Sequence, residues 1–296
     1  MKKKISLVVL LIILGTLIWY LFIKPYDYLV TIKANTLPGT INQTIKLWSK
    51  IIDRNSKITQ DDIYNISQEL TINDTTYYYE WKLQPLNDST SRIKVYVKDI
   101  DHSLTNKINI PFSDTDFEKT TKRTLVEFNE KLKDHIEKFK VEIIGKDTFP
   151  GNYCVYIPIK TTQLEKATGM KQNYSLLSGF VSSNNIELNG TPMAEITKWD
   201  LATDSIHYNF CYPIIKSDSL PVHNLIKYKQ LSIKPSLKAI YNGNYITSDR
   251  AWYSLLDYAK KSNIEIVTKP IEIYHNNPNM GGDALRWKTE VYMPIK

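Results

Sequence analysis

The chain has 296 residues, 42% of them hydrophobic and 23% charged, a balance that suits two ordinary globular domains and excludes wholesale disorder. Its formal charge of +7 comes from 38 Lys and Arg against 31 Asp and Glu. The basic residues are scattered, alternating with acidic ones across 118–139 as on a solvated helix face, and no groove-reading motif accompanies them, so nucleic acid is not expected as a partner.

The N-terminus reads "MKKKISLVVLLIILGTLIWYLFIKPY". Residues 5–23 carry no charge, and as a helix they would reach roughly 28 Å, the thickness of a bilayer core. Lys2, Lys3 and Lys4 precede the run, and Trp19 and Tyr20 lie at its far end, where amphipathic rings favour the interface. A cleaved signal peptide is the competing reading, but its apolar core is usually shorter and a small-x-small site should follow, where this chain has "LFIKPYDY". The expectation is a single-pass membrane protein with a cytoplasmic N-terminus and everything after residue 25 outside the cytoplasm or in the periplasm. Lys24 and Lys33 after the span reduce the charge asymmetry.

After this anchor, "YDYLVTIKA" alternates as a strand does. In "NTLPGTINQTIKLWSKIID", Ile41, Ile45, Leu47, Trp48, Ile51 and Ile52 recur near helical spacing. Two alternating runs, 75–86 and 91–100, are joined by "NDST" as a hairpin. "SLTNKINIPF" (103–112) predicts a third strand. A helix capped by Ser113 or Asp114 should run to about residue 140, with Phe117, Leu125, Phe128, Leu132, Ile136 and Phe139 as its apolar stripe. This order resembles the SRPBCC (START-like, helix-grip) family, in which a curved sheet wraps the last helix around an apolar cavity; a small α+β domain with a filled core is the alternative. "GKDTFPGNY" (145–153) carries the Gly, Pro and Asp of a boundary.

The remainder repeats itself. "YSLLSGFVSSNNIELNGTPMAEI" (174–196) and "YSLLDYAKKSNIEIVTKPIEIY" (253–274) share Tyr-Ser-Leu-Leu, then Asn-Ile-Glu, then a proline opening a strand. Each copy follows a strand, 153–160 or 236–245, and closes on another ending in Pro-Ile, so each half reads strand–helix–strand–strand, with a seam expected between them. Ser248 or Asp249 should cap the second helix, in which Trp252, Leu255, Leu256 and Ala259 recur at three- and four-residue steps. The chain as a whole reads as α+β, with an anchor over 1–25, a helix-grip-like antiparallel domain over 26–147 and a duplicated domain over 150–296.

"GNY", "KAIYNGNY", "AWYSLLDYA", "KPIEIYHNNP" and "WKTEVYMPI" resemble, in order, the GyrI-like small-molecule-binding family, also found as the effector-binding domain of AraC-type activators. The resemblance covers about 150–296 and implies a groove between two modules, lined by aromatic rings, with a glutamate on the penultimate strand at its base. The matching residue is Glu272. Some members bind lipophilic cations there, and some hydrolyse cyclopropane-bearing xenobiotics with that glutamate. The repeat supplies a separate argument: aligning Pro192 with Pro270 sets Ala194 opposite Glu272, so the carboxylate stands in one half only. An exposed position drifting freely would give the same asymmetry.

On an alternating strand Glu272 shares a face with Tyr274, and Glu290, the reserve candidate, whose repeat mate is Asn209, shares one with Tyr292. A buried carboxylate lacks hydration worth several kcal/mol. A lipophilic cation would supply the missing charge and stack on rings such as Trp252, Tyr208, Tyr274, Trp287 or Trp199. The same glutamate acting as general base on a water would make a hydrolase; clefts packed shut would make a structural or interaction protein. His207, His223 and His275 have no metal-ligand spacing, and no cofactor is implied. The loop "HNNPNMGGDALRW" (275–287) should rim the groove. "NGT" (189–191) and "NDT" (73–75) match the glycosylation sequon. Cys154 and Cys211 fit either one disulfide in an oxidising compartment or two inert buried thiols.

Overall fold

The leading apolar run forms helix α1 over Lys2–Ile18 and continues as a π-helical turn, Trp19–Ile23. The span Lys4–Ile23 is long and apolar enough to cross a membrane, and none of it is buried in the protein. The structure, a computed structural model, describes residues 2–87, 89–276 and 280–296. It is α+β, with two antiparallel sheets in two units, residues 1–133 and 134–296.

In the first unit, β1 (Tyr28–Ala34), β2 (Lys57–Gln60), β3 (Asn65–Ile72), β4 (Thr75–Pro85) and β5 (Ser91–Asp99) form a sheet in the order β1-β5-β4-β3-β2. Tyr77, Tyr79, Trp81 and Leu83 of β4 alternate onto one buried face. Helices α2 (Pro38–Ile52) and α4 (Asp116–Glu137) cover that face: the rings of Trp48 and Phe128 lie 5.9 and 4.9 Å from Trp81, centroid to centroid. The sequence reading lacked β2 and β3. The β3–β4 hairpin turns on Asn73 and Asp74, both at positive φ (49° and 63°) as a tight two-residue hairpin turn requires; these residues stood out above only as part of a sequon. The segment expected as a strand over 103–112 begins instead as helix α3, Ser103–Asn109. Its apolar residues Leu104, Ile108 and Phe112 are four apart, which satisfies a helical face as well as a strand's alternation.

The second unit is an eight-stranded sheet formed by β6 (Phe139–Phe149), β7 (Asn152–Thr162), β8 (Met193–Asp200), β9 (Ser205–Pro213), β10 (Lys227–Leu231), β11 (Lys234–Gly243), β12 (Ile271–Tyr274) and β13 (Lys288–Pro294). The strand order is β10-β7-β9-β8-β12-β13-β11-β6. Helix α5 (Lys166–Ser183) follows β7, and α6 (Arg250–Lys261) follows β11. The runs β7–α5–β8–β9 and β11–α6–β12–β13 therefore meet where β8 pairs with β12, in a register that sets Glu272 against Ala194. Residues 139–149, read above with the first domain and its boundary, form an edge strand of this second sheet, paired with β11.

Cys154 and Cys211 are free thiols, packed with Phe149, Met193, Ile271 and Tyr292 in a core on one face of the sheet. Of the loop 275–287, residues 277–279 lie outside the described residues. Gly151, in the connection between β6 and β7, has φ +71°, and a Cβ there would stand 2.7 Å from the carbonyl oxygen of Leu231. Both the conformation and the backbone approach need glycine. Gly151→Ala is expected to destabilise the second unit by roughly 1–3 kcal/mol, read as a lowered denaturation midpoint in urea with an unchanged slope.

Candidate functional site

Alternation along β12 sends Glu272 and Tyr274 toward α5 and α6, and Ile271 to the opposite face, where it joins the cysteine-lined core. The Glu272 carboxylate is closed to solvent. Its Oε1 accepts hydrogen bonds from Trp252 Nε1 (2.8 Å), Ser248 Oγ (3.0 Å) and Lys166 Nζ (2.7 Å). Its Oε2 accepts from Lys166 Nζ (2.6 Å) and from the Tyr274 hydroxyl. Burial and then the Glu272 charge push that hydroxyl well above its ordinary pKa, so it remains a donor. A carboxylate offers about four lone-pair sites, and these donors fill them.

Lys166 is the residue that sequence reasoning missed. It is fully buried, its ammonium bridging both Glu272 oxygens and donating to Ser248 Oγ at 2.8 Å. It also lies 4.8 Å from the centroid of the Trp252 ring, within cation–π range. A short 3-10 turn, Gln163–Glu165, delivers it at the first position of α5. Tyr208 fixes that turn by donating from its hydroxyl to the Lys166 carbonyl at 2.7 Å. Gly169 permits the approach, since a Cβ there would meet the same hydroxyl at 2.5 Å. One signal was present in the sequence: a lysine in the first turn of a helix opposes the helix dipole and calls for a nearby anion.

The sequence-predicted site residues divide into two groups. Glu272, Tyr274, Trp252, Tyr208 and Trp199 gather around Lys166; the Trp199 and Trp252 rings meet edge-on at 5.0 Å. Trp287 lies one ring further out, 5.8 Å from Tyr245, which itself lies 4.8 Å from Tyr274. Glu290 and Tyr292 point to the opposite face of the sheet, where Glu290 binds Lys288 (2.7 Å) and Tyr292 (2.9 Å). Burial pushes the Glu290 carboxyl up, but those hydrogen bonds and the Lys238 charge outweigh it and hold it at about 2.

A second layer supports the cluster. Ser248 and Asp249, expected as helix caps, serve it instead, and Asp249 makes no side-chain cap to α6. The Asp249 carboxylate takes Arg250 Nη1 at 2.9 Å and Gln163 Nε2 at 2.5 Å, and Gln163 Oε1 accepts from Trp199 Nε1 at 2.9 Å. At its outer end Arg250 Nε donates to His135 Nε2 at 3.2 Å. Burial and then the Arg250 charge lower the His135 pKa to about 4. No group of three or more His, Cys, Asp and Glu suited to a metal occurs among the described residues.

A fully buried ion pair costs about as much to desolvate as its attraction returns, but removing one partner strands the other charge, at roughly 3–5 kcal/mol. Lys166→Met and Glu272→Leu should each destabilise the second unit by about that amount. The double variant should be clearly less destabilised than the sum of the two, because neither charge is then stranded, a coupling read from denaturation of all four proteins. The pH dependence follows from His135: its folded pKa lies below the unfolded one, so its contribution is complete above pH 6.5 and is lost as pH falls toward 4. The loss over that window is on the order of 3 kcal/mol, and His135→Gln, whose amide oxygen accepts from Arg250, should flatten it in urea melts from pH 7 to 4.

No family model matches the chain, and no curated protein matches it. Among solved structures it is similar to the EcmrR C-terminal domain, at 12% identity over 53% of this chain and 98% of that one, with a TM-score of 0.45. It is also similar to SAV2435 bound to tetraphenylphosphonium, at 12% identity over 52% of this chain and 94% of that one (TM-score 0.38). A third similarity is to a hydrolase from Listeria innocua, at 11% identity over 53% and 92% (TM-score 0.35).

Proposed function

We propose that this chain is a membrane-anchored small-molecule-binding protein whose second unit is a duplicated GyrI-like module, described here in a closed, self-liganded state. The observation that carries this reading is the Lys166 ammonium, held between both oxygens of Glu272 and the Trp252 ring. A carboxylate with an aromatic face is the set of groups that recognises a lipophilic cation. Here the chain's own side chain occupies the cation's place. Glu272 is not waiting for an external charge, as the sequence alone suggested, and a guest must compete with Lys166. The two strand–helix–strand–strand runs, and a carboxylate facing the helices that stands at Glu272 but not at its repeat mate Ala194, support duplication with one functional half.

Anchoring would be through residues 5–23, with the bulk of the chain outside the cytoplasm or in the periplasm, and the first unit would be helix-grip-like. That unit gives the binding reading separate support. Trp48 Nε1, Trp81 Nε1 and the Tyr79 hydroxyl are buried among aromatic rings, with no hydrogen-bond partner among the described residues. A small apolar molecule bearing acceptors would satisfy them. The hydrolase reading fares worse, because no lone pair of Glu272 remains to take a proton from water in this arrangement. The specific observation favouring a purely structural role is that same complete satisfaction, which makes the pair a staple across the seam.

The binding and staple readings separate in calorimetric titration with tetraphenylphosphonium. If the closed state dominates, it reduces the apparent affinity of the unmodified protein by the fraction that is open. Lys166→Met should then bind at least tenfold more tightly than the unmodified chain, and adding Glu272→Gln should abolish the gain. No gain in Lys166→Met would make the pair a staple and reject this ligand site.

A further inference from the structure

Helix α3 is built inside out. Ser103, Asn106 and Lys107, at the i, i+3 and i+4 positions of one face, point into the first unit. There Ser103 Oγ donates to Asp27 Oδ1 (2.5 Å), and Asn106 Nδ2 to Asp99 Oδ2 (3.3 Å). Lys107 Nζ donates to the carbonyls of Lys24 (2.5 Å) and Leu21 (3.4 Å), at the end of the apolar helical span, and stands 3.9 Å from Asp27. The residues facing solvent are apolar: Leu104 is 45% exposed, Ile108 47% and, just past the helix, Phe112 87%. Exposed Thr105 and Asn109 complete that side, so the solvent-facing side of α3 carries no charge.

In water this arrangement is the reverse of an amphipathic helix on a protein surface. Its position supplies the reason. Lys107 fastens α3 to the carbonyls of the residues that end the apolar span, where Phe22 and Ile23 are themselves 69% and 64% exposed. The α3 patch thus continues the apolar surface of the span at its C-terminal end. Helices that lie in a membrane interface bury just such an apolar side among headgroups and upper acyl chains.

We propose that α3 and Phe112 form a lipid-contacting foot: Leu104, Ile108 and Phe112 enter the leaflet into which the N-terminal helix emerges, and so fix the orientation of the first unit at the bilayer surface. The occupant of this patch is lipid, because the patch is fastened to and continuous with the end of a membrane-length apolar helix. The inference rests on the anchoring proposed above.

The test uses the full chain in phosphatidylcholine–phosphatidylglycerol nanodiscs, with an environment-sensitive NBD fluorophore placed by Phe112→Cys or, separately, by Ile12→Cys. Buried Cys154 and Cys211 should stay unlabelled, with the unmodified chain as blank. The foot predicts that nitroxide lipids quench the probe at 112 at least twofold while aqueous iodide does not, and that lipids also quench the probe at 12. Quenching by lipid at 12 but only by iodide at 112 would overturn the foot while the anchor stands. Iodide quenching at both positions would overturn the anchor and the foot together. Protection of 112 from both quenchers, with 12 in lipid, would place a protein on the patch and overturn the lipid assignment.

Discussion

A carboxylate in a sealed core must find its counter-charge inside the protein, and much of the second unit is arranged around that requirement. Glu272 sits on β12 where the two strand–helix–strand–strand runs meet, and its ammonium partner comes from the run that lacks the carboxylate. The pair is therefore a cross-tie over the seam. Around it, Trp252, Tyr274 and Ser248 supply the remaining hydrogen bonds, and Tyr208 with Gly169 fixes the turn that delivers Lys166. The tie matters most for α5, which buries only Lys166, Gly169, Leu177 and Val181 over its 18 residues, whereas α6 buries six of its 12. A helix that buries so few of its residues leans on its polar anchor.

The periodic elements were legible because one physical cause fixes each of them. Alternation in β4 follows from one wet and one buried face, and the helical spacing in α6 from one packed side, whereas α2 is buried all round from Pro38 to Lys46. The repeat alignment made Ala194 the counterpart of Glu272; that the two also face each other across the β8–β12 pair appears only in the structure. What escaped had two competing causes or a partner distant in sequence. Leu104, Ile108 and Phe112 fit both periods, and only the inward bonds of Ser103, Asn106 and Lys107 decide for helix. Lys166 and Glu272 are 106 positions apart, and no local pattern joins them. Ser248 and Asp249 have the composition of helix caps, but tertiary contacts recruit both into the buried network, overriding the local preference.

The same rule governs Lys107, a buried lysine of the first unit. Lys107 lies against Asp27 and the carbonyls that end the apolar helical span, and burial pushes the Asp27 carboxyl above its ordinary range despite the bonds from Ser103 and Asp99. Polar atoms turned inward leave apolar ones outside, and a lipid surface is the environment that makes such a helix economical. In both units a lysine is drawn inside by a carboxylate, and the surface or seam around it takes its character from that placement.

Amine acylation footprinting, read residue by residue by mass spectrometry, tests the central claim most directly. Lys166 should stay unmodified in the native protein while exposed Lys171, five residues further along α5, reacts freely, and saturating tetraphenylphosphonium should bring Lys166 into reaction. A Lys166 amine that acylates as fast as Lys171 in the unliganded protein would contradict a sealed ion pair and the function built on it.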